Sequence, residues 1–119
     1  MEARTLELVF PSHANPHGNA FGGFVVGLMD KVGSYAAVRR AKKPVVTVAI
    51  GQVEFKVPIK VGDLLDVVAR VERVGRTSIR VRVEVYKEPV GSGERILATH
   101  GELVYVAVNE EGRPVLVDS

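Results

Sequence analysis

The sequence predicts an α+β fold in which one long helix packs on a single antiparallel sheet of five strands. Three observations carry that expectation. Helical spacing of apolar residues occurs in one segment, from Gly22 to about Ala41, at Val25, Leu28, Met29, Val32 and Ala36. Everything after it is rich in β-branched residues in long, often alternating runs. Short glycine-containing connections join those runs, so successive strands return antiparallel, as hairpins do.

The elements follow in order. Met1 to Phe10 holds a short alternating segment and reads as a first strand. The loop "PSHANPHGNAFGG" has two prolines and three glycines and reads as too broken to be helical. The helix from Gly22 ends in "RRAKK", cations at the negative end of its dipole, and Pro44 stops it. "VVTVAIGQVEFKVP" is the next strand, with Gly51 marking a bulge or bend. "KVGDLLDVVARVERVG" and "RTSIRVRVEVYKE" are two more, joined by a tight hairpin at Gly75. In the second of these, Ile79, Val81, Val83 and Val85 share one face, and Arg80, Arg82, Glu84 and Tyr86 share the other. "ERILATHGELVYVAV" is the last strand. A single helix leaves sheet edges and apolar surface open, so a dimer with a continuous sheet is expected.

Composition bounds the function. A chain of 119 residues, 46% hydrophobic and 25% charged, reads as one globular domain over 1–119 and not as a disordered or fibrous chain. No apolar run reaches the roughly 20 residues of a membrane span, and no secretory signal is seen, so a cytoplasmic protein away from membranes is expected. The absence of cysteine excludes disulfides, thiolate metal sites and cysteine nucleophiles. The net charge of +2 comes with arginines that alternate with valines along strands, a solvated sheet face and not a nucleic-acid stripe.

One residue stands out. Asp30 lies inside the apolar helix, and its neighbours at three and four positions are Val26, Gly27, Gly33 and Ser34. Interior glycine weakens a helix by about 1 kcal/mol relative to alanine, so the stripe of small residues makes room for a partner backbone or a ligand. The plainer alternative is a solvated aspartate beside Lys31. Gly22 and Gly23 lie where the first free N–H groups of the helix emerge, a natural oxyanion site. Asn15, in the preceding loop, offers an amide. Carboxylate, amide and helix-start N–H groups together suit hydrolysis of an activated acyl compound. Phosphate-loop, dinucleotide and serine-nucleophile signatures are missing. His13 and His17 flank Pro16 and cannot form a regular helical metal pair, so no metal site is expected and both read as exposed loop residues.

The stretch "NPHGNAFGGFVVGLMDKVGSYAA" resembles the central-helix motif of hotdog-fold acyl-CoA thioesterases, closest to the cytosolic acyl-CoA hydrolase group (YciA-type). Asn15, Gly18, Phe21, Gly22, Gly23 and Asp30 match that motif in order. "VVTVAIGQVEFKVPIKVGD" and "VGRTSIRVRVEVY" resemble later strands of the family, so the likeness covers nearly the whole chain. It implies a hotdog fold, a long antiparallel five-stranded sheet wrapped around one central helix. It implies hydrolysis of acyl-CoA to free fatty acid and coenzyme A, with no cofactor beyond the coenzyme A carried by substrate and product. By the same resemblance Asp30 is the catalytic general base or nucleophile. Asn15 orients water or thioester, the N–H of Gly23, with Gly22, binds the thioester oxygen, and Thr47 helps position water. The turn Gly75, Arg76, Thr77 and Ser78 would hold coenzyme A phosphates. Active sites shared across a dimer, and three dimers in a hexamer, are implied as well. His17, Asn19 and Pro16 depart from the family pattern.

Two rivals use the same substrates. A hydratase would pair the aspartate with a histidine five positions on, where this chain has Tyr35. A non-catalytic acyl-CoA-binding or regulatory module would keep the coenzyme A contacts without needing Asp30.

Overall fold

The computed structural model describes residues 2–119. Strand β1 (Glu2–Leu8) leads through a short 3-10 turn at Pro11–His13 into helix α1 (Gly22–Ala41). Strands β2 (Val45–Phe55), β3 (Leu64–Val74), β4 (Ser78–Glu88) and β5 (Ile96–Ala107) complete the chain's regular structure. They form one sheet in the order β1-β3-β4-β5-β2, every neighbouring pair antiparallel. The predicted element order holds. The expected start of the first strand at Met1 lies outside the described residues.

The alternation in β4 does what its sequence dictates. Ile79, Val81, Val83 and Val85 are fully buried under α1, while Arg80 on the opposite face is exposed. Met29, Val32 and Ala36 supply the helix side of the same core, and Leu65, Val67 and Leu103 the sheet side. Gly101 of β5 lets the layers meet. A methyl group there would lie 2.9 Å from Val53 Cγ2 and 3.2 Å from Met29 Cε.

β2 is an edge strand with two register shifts, one between Thr47 and Ala49 and one between Gly51 and Glu54. The second is the bend expected at Gly51, and Gln52 within it takes a left-handed φ of 51°. Val46, Val48, Ile50 and Phe55 remain exposed along this edge. At the end of α1, Lys42 adopts the left-handed conformation, and its N–H closes the helix on the Val38 carbonyl.

The loop before α1 corrects two expectations. Pro11–His13 does form a turn of 3-10 helix, which proline at its first position favours. His13 is half-buried, its ring stacked on Phe24 at 4.0 Å, and its Nδ1 accepts the Phe10 N–H. Its carbonyl also accepts the Phe21 N–H, so this histidine fixes the entry into the helix. His17 is exposed as expected.

Gly101→Val should destabilise the fold by about 1–3 kcal/mol through overpacking between α1 and β2. Urea unfolding would show it as a lower midpoint with an unchanged slope.

Candidate active site

The carboxylate of Asp30 is half-buried at the middle of α1 and is held from the sheet. Thr47 and Tyr105 are paired opposite each other across β2 and β5, so both hydroxyls reach the helix at one level. Thr47 Oγ1 donates to Asp30 Oδ1 at 2.8 Å. The Tyr105 hydroxyl lies 2.8 Å from the Asp30 carbonyl oxygen and 3.1 Å from Oδ1, with its single proton shared between them. Among the described residues, these hydroxyls are the side-chain donors to Asp30, and both converge on Oδ1. Asp30 is therefore a built feature and not merely a solvated helix charge.

Tyr105 is the residue that sequence reasoning missed. Its signal was the alternation Leu103, Tyr105, Ala107, which puts all three on the buried face of β5. A lone tyrosine in that row needs a partner for its hydroxyl. The glycine stripe is also reassigned by it. A methyl group on Gly33 would overlap the Tyr105 hydroxyl, so Gly33 makes room for this side chain and not for a ligand or a second helix. Gly27 meets nothing within 4 Å and stays open.

Asn15, Gly22 and Gly23 lie elsewhere. Gly22 opens the helix eight residues before Asp30, about 12 Å along its axis at 1.5 Å per residue. The helix has no side-chain cap, and among the described residues nothing accepts from the N–H groups of Gly22 and Gly23, whereas the Phe24 N–H already bonds the Phe21 carbonyl. Asn15 Oδ1 accepts the N–H groups of His17 and Asn19, which folds the loop and leaves the amide NH₂ to donate outward. One chain therefore brings together Asp30 and Thr47 at one level, with Gly22 and Gly23 about two helical turns away and Asn15 in the loop that precedes them.

Beside the helix start is a cavity of about 300 Å³, lined by Gly22, Val25, Phe55, Val57, Ile59 and Thr99 among others. Its walls are chiefly apolar. The Thr99 hydroxyl is buried there without a hydrogen-bond partner.

The turn between β3 and β4 closes with the Gly75 N–H on the Ser78 carbonyl. The carbonyls of Arg76 and Thr77 accept the N–H groups of Val117 and Ala107. A cavity of about 200 Å³ at this turn is lined by Gly75 and Ser78 together with Arg73, Arg80 and Val104. Arg76 and Thr77 do not line it. The two arginines that do are cross-strand partners, a pairing that became visible only with the register. Among the described residues no group of three or more His, Cys, Asp or Glu side chains is placed to hold a metal, and no helix is long and apolar enough to cross a membrane.

Fold and site together define a class: a five-stranded α+β protein with a helix-borne carboxylate presented to an open edge. The chain belongs to the thioesterase superfamily, whose family model matches residues 17–94. It is 37% identical over 110 residues to the acyl-CoA thioester hydrolase YciA of Escherichia coli, covering 90% of this chain and 83% of that one. Among solved structures it is similar to an acyl-CoA hydrolase of Staphylococcus aureus in complex with butyryl coenzyme A and coenzyme A. There the TM-score is 0.92 at 33% identity, with 97% of this chain and 70% of that one covered. That enzyme has also been solved as variants in which single aspartate, threonine and asparagine residues are replaced by alanine. A hexameric thioesterase of Yersinia pestis gives a TM-score of 0.91 at 34% identity, with coverage of 97% and 93%. The fold is the hotdog fold that the resemblance implied.

Burial and the nearby Asp30 carboxylate both push the Tyr105 phenol far above its ordinary value. Its neutral form is favoured in the folded state, so the stability it contributes is complete below pH of about 10, the unfolded value, and is lost above it. Of the three tyrosines, Tyr105 should fail to ionise in an alkaline absorbance titration until the protein unfolds. Tyr105→Phe should make unfolding stability fall less steeply with pH above about 10.

Proposed function

We propose that the protein hydrolyses acyl-CoA thioesters to coenzyme A and the free acid, with Asp30 as its reacting carboxylate. The Asp30–Thr47 hydrogen bond across α1 and β2 carries this reading, because it fixes a half-buried carboxylate beside the open sheet edge. The S. aureus variants support the assignment of residues. There the asparagine precedes the aspartate by fifteen positions and the threonine follows it by seventeen. Asn15 and Thr47 stand at those same separations from Asp30.

A thioester that reacts at Asp30 cannot also reach its own chain's helix start about 12 Å away. A second copy, joined along the β2 edge and related by a two-fold axis, would bring its Asn15, Gly22 and Gly23 to the first chain's Asp30. The N–H of Gly23 then stabilises the developing oxyanion, with Gly22 beside it, and the Asn15 amide orients water or the thioester. Exposed apolar residues on β2 fit burial in such a dimer. Three dimers in a hexamer agree with the hexameric Yersinia relative.

The apolar cavity next to Gly22 takes the acyl chain. Arg73 and Arg80, with Ser78 and the Gly75 turn, bind coenzyme A phosphates, since paired guanidinium groups suit phosphate oxygens. Arg76 and Thr77 serve the same turn through its backbone. Coenzyme A enters and leaves as part of substrate and product, and the reaction asks for no cofactor. The cytoplasm suits a cysteine-free enzyme of this chemistry.

Purified protein assayed against thioesters from acetyl- to palmitoyl-CoA should release free thiol, and Asp30→Asn should lower kcat by at least about 100-fold. A protein that binds coenzyme A but hydrolyses none of the series would be a binding module instead.

Sharing of the site between chains has its own test. Asn15→Asp keeps the oxygen that folds the loop and removes the amide donor. Unfolding and refolding it together with Asp30→Asn should restore about a quarter of wild-type activity, since half the dimers then carry one intact site of two. A mixture no more active than its two components would place the whole site within one chain.

A further inference from the structure

We propose that Tyr105 is a positioning residue for Asp30: its hydroxyl, reaching through the space left at Gly33, ties Oδ1 and the Asp30 carbonyl to β5 and leaves Oδ2 as the reacting oxygen. The inference rests on the thioesterase reading and goes beyond it by naming the residue that sets the carboxylate's orientation.

A carboxylate on a helix surface turns freely about its terminal bond unless something holds it. Here two hydroxyls hold the same oxygen, from Thr47 at 2.8 Å and from Tyr105 at 3.1 Å. Hydrogen bonds to an ionised acceptor are the strong ones. Rotation that brought Oδ1 to the substrate would break both at once. The Tyr105 ring is fully buried and cannot follow such a movement. Its bond to the Asp30 carbonyl also fixes the helix turn beneath the carboxylate. Burial and the Asp30 charge keep the phenol protonated, so it is a permanent donor.

Gly33 and Tyr105 form a matched pair. The glycine stands one helical turn after Asp30, and any side chain there would displace the hydroxyl. The interior glycine lowers helix propensity, and the space it opens is filled by a hydroxyl aimed at the carboxylate. A purely packing tyrosine would not need that arrangement. Thr47 shares Oδ1 from the exposed side, while Tyr105 holds it from the core side. Among the described residues no side chain donates to Oδ2, which is left for water or the thioester carbon.

The test is a cycle of four proteins: wild type, Tyr105→Phe, Asp30→Asn and the double variant. Tyr105→Phe should lower kcat by about 10-fold or more, the weight of a hydrogen bond to a charged group, with KM within about two-fold of wild type. In the Asp30→Asn background the same change should have almost no further effect, because its action runs through the carboxylate. An unchanged kcat, or an equal loss in both backgrounds, overturns the proposal.

Gly33→Ala supplies a second route should Tyr105→Phe fail to fold. It should reproduce the loss in kcat. Adding Tyr105→Phe should then bring no further loss, since the nearest remaining ring atoms, Cζ and Cε2, lie 3.2 and 3.4 Å from the new methyl. Additive losses from Gly33→Ala and Tyr105→Phe would count against a shared mechanism. Unfolding stability measured for wild type, Tyr105→Phe, Asp30→Ala and their double variant reads the same contact without any assay. Coupling should appear there, and its absence overturns the proposal. A wild type inactive on every thioester would overturn the proposed function, with the unfolding cycle still deciding whether Tyr105 holds Asp30.

Discussion

The register between β2 and β5 is the constraint on which the site depends. Because Thr47 faces Tyr105 across those strands, two hydroxyls arrive at one turn of α1 from different strands. A slip of β2 by one residue would turn Thr47 to the other face of the sheet and leave Tyr105 as the one hydroxyl on Asp30. The close approach at Gly101 and the buried row on β4 hold the helix against the sheet at the height where this matters. The carboxylate is thus positioned by packing that extends well beyond its own neighbours.

The same geometry explains why the chain looks unfinished. The helix axis separates the carboxylate from the free N–H groups at its start, and no flexing of a packed helix brings them together. The proposed two-fold pairing along β2 would resolve this without new elements, by bringing the start of one helix beside the middle of another. An unpaired edge with exposed valines would otherwise invite indiscriminate strand addition. The two bulges in β2 limit that tendency, since only a partner with matching irregularities pairs along its full length.

Much of this was legible in the chain. The helix bounds, the element order and the bend at Gly51 follow from periodicity and from glycine and proline placement, which act locally. The motif around Asn15 and Asp30 identified the family, and the family fixed the fold. What local pattern cannot give is cross-strand register. Tyr105 therefore went unnoticed, although its place in the alternation of β5 was visible. For the same reason Gly33 was read as space for a ligand or a helix, and the pairing of Arg73 with Arg80 beside the β3–β4 turn was not visible. His13 was misjudged because its ring partner Phe24 lies across a loop, where spacing carries no signal.

The helix also shows where stability has been surrendered to the site. Gly27 and Gly33 together lower helix propensity by about 2 kcal/mol relative to alanine. Thr99 buries a hydroxyl without a partner in the cavity, and Asp30 holds a carboxylate half out of water. Each is unfavourable in an isolated fold. The space at Gly33 is filled by the Tyr105 hydroxyl and Thr99 lines the apolar cavity beside the start of α1, whereas the core beneath β3 and β4 is packed with Leu65, Val67, Ile79, Val81, Val83 and Val85. Glycine facing a buried hydroxyl, and a hydroxyl left unpaired in a cavity, are departures that stability alone does not select and that a binding site requires.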